Sequence, residues 1–146
     1  MPMLKHRTSR GFTLIEIMVV MVILGLLVAL VAPNIMGRGD EARVTTAKAQ
    51  LRQISNALDL YRLDNSHYPS TEQGLEALVR EPSGHPEPRN WNPDGYMSSV
   101  PTDPWGNEYQ YVSPGSEGPY DLYSYGADGR SGGDGVNAEI SVWDLD

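Results

Sequence analysis

With 146 residues, no cysteine and a formal net charge of −8, the chain has room for one small domain and cannot form a disulfide. Its acidic balance argues against nucleic acid as a partner, since phosphate contacts need clustered Lys and Arg. A small extracytoplasmic domain without disulfides needs another staple, most commonly a metal ion, which makes oxygen-rich loops candidate sites.

Residues 1–11 are polar and basic, with Lys5, Arg7 and Arg10, and from Phe12 to Ala32 the only charge is Glu16. As a helix this apolar run is about 30 Å long, one hydrocarbon thickness. It is longer than the core of an ordinary secretory signal, which is cut after its apolar region. Basic residues stay on the cytoplasmic side, which sends Pro33 and everything beyond it across the membrane. A carboxylate at the position of Glu16 costs roughly 3 kcal/mol in the bilayer unless it is paired. A cut after Gly11 would supply a partner, because Phe12 would then carry an α-amino group one helical turn before Glu16. Losing residues 1–11 removes three positive charges and takes the formal charge from −8 to −11.

Pro33, Gly37 and Gly39 predict a bend or loosening of the helix, either as a hinge or as a plain break at the membrane exit. Helical periodicity resumes at Asp40, where Val44, Ala47, Leu51, Ile54, Leu58 and Tyr61 form one apolar stripe with Lys48, Arg52, Asp59 and Arg62 off it. The stripe faces either the domain's own sheet or a coiled-coil partner. After the Ser66–Pro69 turn, with His67 as a turn residue, Ser70-Thr71-Glu72-Gln73 has the form of a capping box. It predicts a second short helix with Leu75, Leu78 and Val79 on its apolar face, ended by Pro82. Residues 81–95, rich in Pro, Gly, Asn and Trp, are an ordered surface loop, anchored on the core by Trp91 or serving as a subunit contact.

The remainder predicts short strands at Glu108–Val112, Tyr120–Tyr125 and Ile140–Trp143, separated by the Pro101–Asn107 and Ser113–Gly115 turns. The fold class is α+β, with an antiparallel sheet of about three strands laid against a long helix. Gly126–Glu139 is glycine-rich and carries Asp128, Ser131, Asp134, Asn137 and Glu139. Oxygen ligands on a flexible loop suit a hard cation such as calcium, whereas the EF-hand pattern is not met and a solvated acidic turn stays open. No nucleophile elbow, Walker A loop or His-Glu-x-x-His motif is present, so an enzyme is not expected.

Arg10-Gly11-Phe12-Thr13-Leu14-Ile15-Glu16 followed by an apolar helix resembles the class III signal of type IV pilins and type II secretion pseudopilins. Leu63-Asp64-Asn65, Tyr68–Leu75, Gly95-Tyr96, Asp103-Pro104-Trp105-Gly106-Asn107 and Tyr123–Gly129 resemble the major pseudopilin family of type II secretion, general secretion pathway protein G. The similarity runs from Gly11 to about Trp143. It implies a type IV pilin-like fold in which residues 1–11 are a removable leader, 12–32 a membrane and filament-core helix, and 33–146 a periplasmic domain.

By the same resemblance, a prepilin peptidase cleaves between Gly11 and Phe12 and methylates Phe12, and Phe12 with Glu16 forms the assembly contact. In filaments of this family the Pro33–Gly39 region can be stretched. The implied product is a homopolymer in the periplasm, anchored through the inner membrane, that helps export folded proteins across the outer membrane. Its implied partners are minor pseudopilins, an inner-membrane assembly platform with its ATPase, the outer-membrane secretin, exoproteins and the lipid bilayer. The resemblance also implies a structural calcium, with Asp128 as the main side-chain ligand and the Tyr125 carbonyl as a donor. Asn137 and Glu139 stand where the family commonly has aspartates, and Asp134 and Ser131 are alternates. The rival readings are a surface type IV pilus, for adhesion, motility or DNA uptake, and an uncleaved, membrane-anchored calcium-dependent binding domain.

Overall fold

The computed structural model describes residues 10–146, with the backbone alone for residues 32–36. Most of the expected leader, residues 1–9, lies outside the described residues. The chain divides between Arg38 and Gly39 into two units.

Helix α1 spans Leu14–Asn65 as one element. Its backbone stays helical across Pro33, Gly37 and Gly39, where the sequence suggests a break; the side chains at 32–36, and with them the expected bend, lie outside the described residues. Among the described residues one segment, Leu14–Val31, is long and apolar enough to cross a membrane, and its side chains are exposed throughout.

In the second unit, the 3.6-residue period turns one face of α1 inward. Ala47, Leu51, Ile54, Leu58 and Tyr61 are buried, whereas Arg52, Asp59 and Arg62 stay in solvent. These residues share one cluster with Tyr109, Tyr111, Tyr120, Leu122 and Ile140, so the stripe is taken up by the chain's own domain rather than by a coiled-coil partner. Each Leu or Ile withdrawn from water here contributes about 1.5–3 kcal/mol. The helix stops because Ser66 turns to φ 70°. Asn65, fully buried, donates to Tyr61 O at 2.9 Å and to the Tyr96 hydroxyl at 3.1 Å, and accepts from Asn90 N–H at 2.9 Å.

The capping box forms as expected: Ser70 N–H donates to Gln73 Oε1 at 3.0 Å and Gln73 N–H to Ser70 Oγ at 3.2 Å. It does not open an α-helix. Gly74 takes φ 63°, a left-handed conformation that breaks any helix started at Ser70, and the next residues form a single 3-10 turn, η1 (Leu75–Leu78). Gln73 instead pins the next loop, donating to the carbonyls of Ser83, Gly84 and Pro86 at 3.0–3.3 Å. Trp91 anchors the same loop by donating to Ala77 O at 2.8 Å. The His67 ring lies between the Tyr68 and Glu87 carbonyls, as a turn residue.

The sheet is antiparallel, in the order β1 (Gln110–Val112), β2 (Asp121–Ser124), β3 (Ile140–Ser141). Tyr111 faces Leu122 across the first pair and Ser124 faces Ile140 across the second. The strands are shorter than the sequence suggests: Glu108 makes only an isolated bridge with Thr102, and Trp143 folds back to donate its indole N–H to Tyr120 O at 2.7 Å.

Candidate functional site

Two regions carry the expected functional residues. At the first, Gly11 and Phe12 sit in a non-helical stretch directly before α1, both exposed, with open space around the Gly11 α-carbon. The Gly11–Phe12 bond therefore lies outside any helix, between two exposed residues. Thr13 caps the helix: Glu16 N–H donates to Thr13 Oγ1 at 3.3 Å, and Thr13 N–H donates to Glu16 Oε2 at 3.3 Å. This reciprocal pair is a capping box, and it places a carboxylate at the positive end of the helix dipole. Glu16 in the uncut chain is thus held by its own helix start. The sequence reading missed Thr13, although Thr-x-x-Glu before an apolar run is the signal for it.

The second region is the Gly126–Glu139 loop. Asp103, 3% exposed, fixes its root. Its Oδ1 accepts from Trp105 N–H at 3.1 Å and Asn107 N–H at 2.8 Å, which shapes the Asp103–Asn107 turn. Its Oδ2 accepts from Ser124 Oγ at 2.7 Å, and Ser124 Oγ accepts in turn from Gly126 N–H at 3.1 Å. One buried carboxylate therefore joins that turn, the end of β2 and the first residue of the loop. Gly126 adopts φ 85°, and a Cβ there would lie 2.7 Å from Ala138 O and 2.8 Å from Val136 O. Only glycine lets the returning strand of the loop come this close. Ala127 N–H donates to Val136 O at 2.8 Å and closes the base.

Within the loop, Asp128 Oδ1 accepts from Arg130 N–H at 3.1 Å and Glu139 Oε1 from Gly132 N–H at 3.2 Å. Asp134 and Asn137 flank and end the short 3-10 turn η2 (Gly135–Asn137), Ser131 is exposed, and the Tyr125 ring packs edge-on against Tyr123. The loop thus brings Glu139 back beside Gly132. Among the described residues no three Asp, Glu or His side chains converge as a ready-made metal cage. The donor chemistry nevertheless fits a hard cation, since Asp128, Asp134 and Glu139 offer carboxylates and Tyr125, Asn137 and Ser131 offer neutral oxygens.

A membrane-length helix behind a glycine–phenylalanine junction, continuing into a small domain with a three-stranded sheet, defines a pilin-like, membrane-anchored subunit. The comparisons agree. The model for the prokaryotic N-terminal methylation motif matches residues 6–32, and that for type II secretion system (T2SS), protein G, matches residues 34–143. The chain belongs to the type II secretion system protein G family. It is 60% identical over 141 residues to type II secretion system core protein G of Pseudomonas aeruginosa, covering 97% of this chain and 99% of that one. To the protein of the same description in Vibrio cholerae it is 51% identical over 143 residues, covering 98% and 97%. The solved major pseudopilin of the type 2 secretion system of enterohaemorrhagic Escherichia coli superposes with a TM-score of 0.67 at 44% identity, over 76% of this chain and 95% of that one. The fold is accordingly type IV pilin-like, as the sequence suggested.

Proposed function

We propose that the chain is the structural, non-catalytic repeating subunit of a periplasmic pseudopilus that helps drive folded proteins across the outer membrane by type II secretion. The observation that carries the reading is the junction of an N-terminal methylation motif with a protein G domain in one chain. On this reading residues 1–11 are the leader, 12–32 the membrane and filament-core helix, and 33–146 the periplasmic domain, with the N-terminus cytoplasmic before processing. A prepilin peptidase cuts the exposed Gly11–Phe12 bond and methylates Phe12. The new amine then competes with the Thr13 N–H for Glu16 and offers it a full positive charge, within a chain or between neighbours. The bilayer stores the helix until the assembly platform and its ATPase add it to the polymer, with minor pseudopilins, the secretin and exoproteins as further partners.

Deleting the gene and assaying culture supernatant tests this: loss of exoproteins is expected. Normal secretion with loss of surface fibres would instead make the chain a type IV pilin.

We further propose that the Gly126–Glu139 loop binds calcium, held by Asp128 and the Tyr125 carbonyl with Asn137 and Glu139, or Asp134 and Ser131, completing the set. The ion would cross-link the loop in place of a disulfide. The domain is expected to melt higher in calcium than in chelator, and equal melting temperatures would remove calcium from the account.

A further inference from the structure

The sequence holds three Asp-Gly pairs, Asp94-Gly95, Asp128-Gly129 and Asp134-Gly135, and no Asn-Gly pair. An aspartate followed by glycine is the setting in which the next backbone nitrogen attacks the side-chain carboxyl carbon most readily, because glycine has no Cβ to crowd the five-membered ring that forms.

The fold treats the three pairs differently. Gly95 N–H donates to Asn92 O at 2.8 Å, and a Cβ on Gly95 would lie 3.4–3.5 Å from the carbonyl oxygens of Leu78, Val79 and Met97, so this peptide sits in a packed turn. Gly129 N–H donates to Gly126 O at 3.3 Å, Asp128 Oδ1 is taken by Arg130 N–H at 3.1 Å, and the Asn107 amide lies 3.1 Å from a Cβ position on Gly129. In both pairs the attacking nitrogen is committed to a carbonyl and the backbone around it has little room to rotate. Asp134-Gly135 is different. Both residues are exposed, the Asp134 side chain makes no capping bond, and among the described residues Gly135 N–H meets no acceptor. Among the same residues nothing lies within 4 Å of a Cβ position on Gly135.

We propose that Asp134 is a site of spontaneous isomerisation to isoaspartate, the one Asp-Gly pair that the fold leaves open to it. The Gly135 nitrogen bonds to Asp134 Cγ and gives up its proton while one carboxyl oxygen leaves as water, which produces a succinimide. Water then adds at the Asp134 α-carbonyl carbon, the bond from that carbon to the Gly135 nitrogen breaks, and the nitrogen takes up a proton. One water leaves and one enters, so mass and oxidation state are unchanged. The main chain now runs through Cγ and is one carbon longer, and the former α-carbonyl has become a free carboxylate. Asn137 N–H, which donates to Asp134 O at 3.2 Å, loses that backbone partner. The turn η2 therefore opens beside Val136, whose carbonyl closes the base of the loop.

A protein isoaspartate methyltransferase, which esterifies isoaspartate but not aspartate, is the probe. The folded full-length chain is warmed at neutral pH in chelator, so that no bound cation holds the Asp134 carboxylate, then cut with trypsin and labelled. Cleavage after Arg89 and Arg130 puts Asp94 and Asp128 in one peptide and Asp134 in the next, which begins at Ser131. Above an unwarmed control, the Ser131 peptide is expected to carry at least tenfold more label than its neighbour. The same chain warmed in urea should label the neighbour, with its two pairs, at least as strongly, because only the fold separates the three. Asp134→Glu keeps the charge but needs a six-membered ring to cyclise, and should return the Ser131 peptide to background. Equal label in the two peptides of the folded chain, no label in the Ser131 peptide, a tenfold difference that persists in urea, or label that survives Asp134→Glu would each overturn the assignment.

Discussion

Replacing Asp103 by alanine removes the one acceptor that holds a turn, the end of β2 and a loop root together. The change leaves the N–H groups of Trp105 and Asn107 and the hydroxyl of Ser124 without their partner, in a position only 3% exposed. Hydrogen bonds to a charged group contribute about 1.5–3 kcal/mol each, and a buried donor left unpaired costs about 1–3 kcal/mol. Because Ser124 can rotate toward another acceptor and water reaches the half-exposed turn, the sum is closer to about 3–5 kcal/mol than to the full total. For a domain of this size that lowers Tm by on the order of 10–20 °C. Asp103→Asn keeps an acceptor oxygen for the turn and presents an amide to Ser124 Oγ, so it should lose less than half as much. Urea denaturation of the unit beginning at Gly39 measures both variants. A loss below about 1 kcal/mol for Asp103→Ala would show that the carboxylate does not organise this end of the domain.

Gly126→Ala should destabilise by about 2–4 kcal/mol, from the left-handed backbone and from two carbonyl oxygens under 3 Å from the new methyl. Cleavage by trypsin at the exposed Arg130 in the same loop should accelerate, and an unchanged rate would contradict the close approach. Burial, with smaller contributions from Tyr96 and Glu81, pushes the Tyr61 hydroxyl up to about 12, and burial also raises Tyr109 and Tyr111. The unfolded chain loses these protons near pH 10 and the folded one later, so stability should hold up to about pH 10 and fall between about pH 10 and 12. A pH-independent melting temperature across that window, read alongside phenolate absorbance, would refute it. Glu16→Gln keeps an oxygen that can accept from Thr13 N–H but has no charge to meet the Phe12 amine. It should insert and be cleaved but fail to polymerise, whereas normal filaments from it would reduce Glu16 to a helix cap.

The parts legible in the sequence were those governed by local period and by short signals. The stripe from Ala47 to Tyr61 and the alternation of Tyr109 with Tyr111 placed the core, and Glu16 stood out as a charge in an apolar run. The Ser70–Gln73 box was legible and real, but whether a helix comes after it depended on the backbone of Gly74. Asp103 was read only as part of a turn, since its tie to Ser124 joins residues 21 positions apart and no local pattern encodes it. The same limit applies to the Gly126–Glu139 loop, where sequence names the oxygens but long-range backbone closure decides which carboxylate meets which amide. Thr13 is the opposite case, a short-range cap whose signal was present beside the more conspicuous Glu16.

In the proposed function, processing at the Gly11–Phe12 bond is the central step, because on that reading every later one needs the amine that it creates. Intact-mass and fragment-ion spectrometry of the chain purified from membranes of a secreting cell measures this directly. The prediction is a single species that begins at Phe12 and carries one methyl group on its α-nitrogen. A species that still begins at Met1, in cells where secretion proceeds normally, would contradict it.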